Sequence, residues 1–278
     1  MAEAVAAGSP RSPSSHAATY RRLVGARVRS QWQYRTSFVL HVAGQFVAGF
    51  FDFVAIAVIF DRVHALDGWQ VEEVLFLYGT SQLAFGIGDV FVSPVERAAD
   101  HVRLGTFDQL LVRPLGPLFQ LVTGEFELRR VGRLVQGLVV FVAAVVALPV
   151  EWTAGRVVMT AATVAGGVVI FSSAWVLTSS IAFWAVATQE LANSVTYGGG
   201  FLTQYPVDIF GAAIRRLLLV VPMAFVSYVP ATWVLGRDDV YGLPSWCAFA
   251  SPAVALAFAL VARFVWRSGI RHYRSTGS

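Results

Sequence analysis

From residue 36 to residue 266 apolar side chains run in long blocks, at about 36–60, 70–92, 131–150, 157–186, 217–235 and 246–266, separated by polar connections. Most approach or exceed the ~20 residues that a helix needs to cross ~30 Å of hydrocarbon, so the pattern predicts an all-α integral membrane protein with six transmembrane helices. Two blocks depart from a plain span. Residues 157–186 would build ~45 Å of helix, which predicts tilt or projection into the cytoplasm. Residues 217–235 contain Pro222 and Pro230, each of which removes a helix hydrogen bond, and this predicts a broken or re-entrant segment. Upstream, Tyr20, Val24, Val28 and Trp32 recur four apart while Arg21, Arg22, Arg29 and Arg35 lie mostly off that face. Such a stretch reads either as an amphipathic helix lying on the membrane or as a basic flank that orients the first span. Residues 1–19 are rich in Ala, Ser and Pro and predict a disordered cytoplasmic tail, leaving residues 20–278 as one transmembrane domain. No repeat of fixed period is present, and no inverted three-plus-three repeat is evident.

Composition strengthens the membrane reading: 56% of residues are hydrophobic, 14% are charged and the mean hydropathy is +0.62. Soluble domains carry about a quarter charged residues. All 21 basic residues are arginine. Without a lysine the chain can carry neither the GxxxxGK[ST] phosphate-binding loop nor a Schiff base, so any ATP hydrolysis belongs to another polypeptide. Under the six-span pattern, only Arg62, Arg156 and Arg237 fall on one face and the remaining arginines on the other. The positive-inside rule makes the arginine-rich face cytoplasmic and places both termini there. The single Cys247 excludes an internal disulfide and reads as a small apolar residue.

The second connection, residues 93–117, has a pattern of its own. Pro94 suits a first helical turn; Val95, Ala99 and Val102 share a face, and Glu96, Arg97, Asp100 and Arg103 supply charge elsewhere. Gly105 reads as a helix stop. Thr106 and Gln109 match a capping box, Asp108 suits the first turn that follows, and Pro114 ends the second helix near Arg113. Two short helices joined by a bend are predicted, serving as a docking surface or forming a plain surface loop.

Asp52 and Asp89 fall within apolar blocks, where a carboxylate costs roughly 2.5–3.5 kcal/mol at mid-span. Asp89, beside Gly86 and Gly88 near a block end, reads as a residue reached by water; Asp52 lies deeper and reads as path-facing or paired between helices. His41 and Glu190 are less telling. Trp69, Trp152, Trp233 and Trp246 sit at predicted outer ends, as an aromatic belt requires. Phe183 and Trp184 are candidates for lining a substrate path or for ordinary packing. No spacing suggests a catalytic triad, a carboxylate pair or a metal site.

The stretches GTFDQLLVRPLGPLFQ, FLTQYPVDIF, VPMAFVSYVPATWVLG and WRSGIRHYRSTGS, in that order, resemble the permease subunits of bacterial type-2 ABC exporters, in particular the uncharacterised multidrug-type branch often found as pairs. The resemblance implies six spans, an amphipathic helix before the first, a coupling helix between the second and third, and a re-entrant element near the outer end of the fifth. Carried onto this chain, ATPase coupling falls on Glu96, Arg97, Asp100, Arg103, Thr106, Phe107, Asp108, Gln109, Leu111 and Arg113. The possible substrate path takes in Asp52, Phe183, Trp184, Pro222 and Pro230, with the re-entrant element at Pro222–Pro230. The implied role is the membrane-spanning subunit of an ATP-driven exporter in the bacterial inner membrane, moving an apolar or amphipathic drug, lipid or peptide-like substrate outward. It would act as a homo- or heterodimer with ABC ATPase subunits that bind ATP and Mg, among membrane lipids and without nucleic acid, cofactor or enzymatic activity of its own. Two alternatives stand beside it: an ion-coupled secondary transporter using Asp52 and Asp89, and a non-transporting membrane scaffold.

Overall fold

The computed structural model describes residues 68–124, 127, 130–185, 193–237 and 242–274, together with 42–48 and eight single positions between residues 25 and 58. The expected tail, most of the surface helix and first span, and with them His41, Asp52 and Glu190, lie outside the described residues. Among the described residues no β-strand occurs. Among the described residues three helical stretches are long and apolar enough to span a bilayer: Val71–Phe91, Ala154–Phe183 and Ser245–His272.

Helix α1 (Val71–Phe91) starts from extended Gln70, whose N–H donates to Glu73 Oε2 at 2.9 Å in a capping box. After a 3-10 turn (Ser93–Arg97) come three short helices: α2 (Ala98–Arg103), α3 (Phe107–Leu111) and α4 (Pro117–Gly124). Helix α5 (Val131–Ala147) then returns antiparallel to α1. Glycines set that approach: a Cβ on Gly86 would stand 2.9 Å from the Leu134 Cα, and one on Gly137 would stand 2.8 Å from the Gln82 carbonyl. Small residues let two backbones meet where lipid offers no hydrophobic drive between helices.

Helix α6 (Ala154–Ser180) opens on Thr153, whose side chain accepts the Arg156 N–H, and continues through a 3-10 turn to Phe183. At ~40 Å its 27 residues outrun a bilayer core, in line with the long apolar block. Four of its hydroxyls are satisfied within the helix: Thr163, Ser173, Thr178 and Ser180 each donate to the carbonyl four residues back, at 2.6–2.9 Å. Helix α10 (Ser251–His272) packs along α6 and runs six residues past the predicted end at 266, because its last turns rest on the polar connections described below.

Between α6 and α10 the path differs from the predicted single block at 217–235. Residues 193–208, which include α7 (Gly199–Leu202), climb the bundle from its Asp89 end to its Trp69 end. Tyr197 donates to Glu96 at 3.1 Å, Thr203 pairs with Ser81 at 2.6 Å, and Asp208 accepts from Trp69 Nε1 at 3.1 Å. Helix α8 (Ala212–Val220) and the stretch Met223–Leu235, which ends in α9 (Tyr228–Leu235), then form a pair bent by 76°. Asp208 before the pair and Arg237 after it both meet Trp69, Arg237 lying 4.0 Å from the ring centroid and pairing with Glu73 at 3.0 Å. The pair therefore begins and ends at the same end of the bundle. This moves Arg215 and Arg216 away from the arginine-rich side without reversing the census. Of the two prolines, Pro222 sits at the break, whereas Pro230 occupies the first turn of α9, where it forfeits no helical hydrogen bond. Trp69, expected in an interfacial belt, is instead 1% exposed because Asp208, Tyr228 and Arg237 enclose it, while Trp246 at 66% is exposed.

Candidate functional site

The segment joining α1 to α5 forms a polar arm at the Asp89 end, and its local sequence explains its shape. Helix α2 ends at Gly105, whose φ of 68° is the left-handed conformation that glycine adopts without strain. The Gly105 N–H donates to the Val102 carbonyl and the Thr106 N–H to the His101 carbonyl, a Schellman stop. The expected capping box of Thr106 and Gln109 does not form. The Thr106 backbone is helical (φ −85°, ψ −4°), and its hydroxyl pairs with His101 Nδ1 at 2.8 Å. Helix α3 ends at Leu111, two residues before Arg113, ahead of the bend that carries Pro114. Gln120 of α4 secures that bend by donating to the Leu110 and Leu115 carbonyls at 2.7 and 2.6 Å.

The arm's side chains divide into those that hold it and those that project. Phe107 is fully buried, edge-on to Phe183 and to Tyr273, each at 5.1 Å. Phe183 in turn meets Trp266 at 5.3 Å, and its ring lies where a Cβ on Gly269 would be. One aromatic cluster thus joins the arm to the last turns of both α6 and α10. Asp108 lies beside the Tyr273 hydroxyl. Asp100 and Arg103 make the expected ion pair at 3.3 Å, while Arg97 turns to Glu127 at 3.0 Å instead of to Asp100. Arg103, Gln109, Leu111 and Arg113 project outward. So do Leu104 (67% exposed) and Val112 (84%), which charge-based reading passed over.

Behind the arm lies an ionic joint. Asp89 is 2% exposed and not open to water: Arg130 binds its Oδ1, and Arg133 donates to Oδ2 at 2.9 Å. Ser93 donates to Asp89 Oδ1 at 2.8 Å and also meets Arg130. Arg130 reaches Glu127 as well, at 3.1 Å, and the Arg133 guanidinium lies over the Phe85 ring at 5.4 Å. Depth made Asp89 look like an end residue in water; Arg130 at the N-cap of α5 and Arg133 in its first turn supply its partners instead. Glu96 faces a cavity of about 510 Å³ lined by this cluster, Asn193, Gln45 and Tyr197. Burial pushes the Glu96 carboxyl above the usual carboxylate range, with the Arg130 charge opposing it.

Among the described path residues, neighbouring Phe183 and Trp184 are not brought together with Pro222 and Pro230. Phe183 belongs to the aromatic cluster, Trp184 is 46% exposed and stacked on His272 at 5.9 Å, and Pro222 and Pro230 belong to the bent pair at the other end. Among the described residues no group of three or more His, Cys, Asp or Glu is arranged to hold a metal ion. A family model described as ABC-2 family transporter protein matches residues 46–277. No curated protein and no solved structure matches the chain.

Proposed function

The chain belongs to the ABC-2 family of transporter proteins, multi-pass membrane components of transport systems, and from that premise we propose that it is the permease subunit of an ATP-driven exporter. The observation that carries the reading is the arm: exposed Leu104, Leu111 and Val112, flanked by Arg103 and Arg113, on a segment bolted through Phe107 to the ends of α6 and α10. Apolar side chains on a polar, capped arm suit a protein partner, and the family makes an ATPase subunit the fitting one. The Asp89 end is then cytoplasmic, in keeping with its arginines, and the α8–α9 pair is a re-entrant hairpin entering from outside.

Coupling follows from the rigid connections. A partner that shifts the arm moves Phe107, and with it the Phe183 end of α6 and the Trp266 end of α10. The Asp89–Arg130–Arg133 joint carries the same shift to α1 and α5, biasing the spans between inward-open and outward-open packings. The substrate class that best fits the apolar spans is apolar or amphipathic, taken up by a permease dimer of like or unlike chains. Against the ion-coupled alternative stands the pairing of Asp89 with Arg130 and Arg133, which gives that carboxylate a structural use.

Co-reconstitution of the chain with its ATPase subunit in liposomes tests the reading, with vesicle content and phosphate release followed together. ATP-dependent transport is expected; transport that persists without the ATPase would reject it. Phe107→Leu keeps bulk but loses both edge-on ring contacts, worth about 0.5–1.5 kcal/mol each. This variant should still capture the ATPase and hydrolyse ATP, while moving fewer substrate molecules per phosphate released.

A further inference from the structure

A groove of about 590 Å³ runs between α6 and α10, close to the arm but separate from the ionic joint. Helix α6 contributes Ser172, Ser173 and Val176, and α10 contributes Ala259, Ala262, Arg263 and Arg267. The spacings of three and four put each set on one helical face, so the groove is a continuous trough, its apolar wall completed by Val169, Trp266 and Ile270. Gly116 and Pro117 at the start of α4 close it toward the arm. Arg263 and Arg267 are exposed, one turn apart on its rim, and no carboxylate lines the groove among the described residues. Arg263 lies nine residues short of the helix end, within the apolar block that the sequence assigns to the membrane. A cation at such depth is costly unless an anion meets it.

We propose that this groove holds an anionic phospholipid of the cytoplasmic leaflet, its phosphate between Arg263 and Arg267 and an acyl chain along the α6–α10 trough. An apolar channel with two guanidiniums on one rim, facing no carboxylate among the described lining residues, matches the two parts of such a lipid: planar donors suit phosphate oxygens, and the long side chains reach the headgroup level. The Gly116–Pro117 boundary makes the bound lipid a neighbour of the arm. The site rests on the chain being membrane-embedded and is independent of ATP coupling, so it is tested without the ATPase.

The full chain, purified in detergent, is titrated with phosphatidylglycerol or phosphatidylcholine vesicle lipid and adducts are counted by native mass spectrometry. Phosphatidylglycerol is retained preferentially, and Arg263→Gln with Arg267→Gln lowers its affinity about thirtyfold. Arg271→Gln, on the same helix beyond the groove, leaves retention unchanged. Ala259→Phe, which fills the trough with both arginines intact, also weakens retention and separates groove loss from charge loss. Equal retention of the two lipids, an unchanged double variant, or displacement by an equal concentration of glycerol 3-phosphate would overturn the site. So would a dimer that forms only with both arginines present while lipid retention does not depend on them.

Discussion

Exchange of Leu111 and Val112 for aspartate abolishes capture of the ATPase subunit by the detergent-solubilised permease and leaves the permease folded. Val112 is 84% exposed and Leu111 41%, so neither change opens a cavity, and surface substitutions of this kind stay within about 0.5 kcal/mol of wild-type stability. At a docked surface the same positions become central. Two truncated contacts of hot-spot rank cost roughly 4 kcal/mol, about a thousandfold in affinity, and the introduced carboxylates add desolvation. Gel filtration of the variant and affinity capture of the ATPase read the two halves separately. Undiminished capture would show that the arm's apolar tip is not the contact.

Asp89→Ala destabilises the permease itself, by about 3–5 kcal/mol, because removing one partner of a buried ion pair strands the other charge. Arg130 would keep Glu127 and the Ser93 hydroxyl, and Arg133 its contact with the Phe85 and Tyr197 rings. Thermal unfolding in detergent measures the loss. Arg97→Ala breaks an exposed pair with Glu127 and serves as the comparison, at no more than about 1 kcal/mol. Equal effects from the two substitutions would mean that the joint is ornamental. Because Asp89, Ser93 and Arg130 tie α1, the arm and α5 together, Asp89→Ala should also lower transport per ATP at temperatures where it remains folded.

Helix-scale features were legible in the sequence because one dominant force, burial of long apolar blocks, produces them. Gly105 was legible as a stop since few residues tolerate its backbone, and the over-long α6 followed from counting residues. Side-chain partnerships were not. Thr106 and Gln109 fit a capping pattern, yet the Schellman turn before them set the Thr106 backbone helical and sent its hydroxyl to His101. Asp89 found Arg130 and Arg133 across 41 and 44 residues, a separation that local pattern cannot span. Residues 193–208 carry glycines and polar groups that diluted their apolar signal, so the following apolar run looked like the crossing. Phe183 drew notice as an aromatic near the end of a long span; its use is to receive Phe107.

The central claim is that the arm meets an ATPase. The chain's one cysteine, Cys247, is 8% exposed, so Val112→Cys in a Cys247→Ala background places a single reactive thiol on the arm. Coupling it to a short photoactivated cross-linker in native membranes, and identifying the attached polypeptide by mass spectrometry, asks the question directly. An adduct whose partner carries the GxxxxGK[ST] loop that this lysine-free chain lacks is the predicted result. Labelling that yields only lipid, or a protein without that loop, would contradict the account.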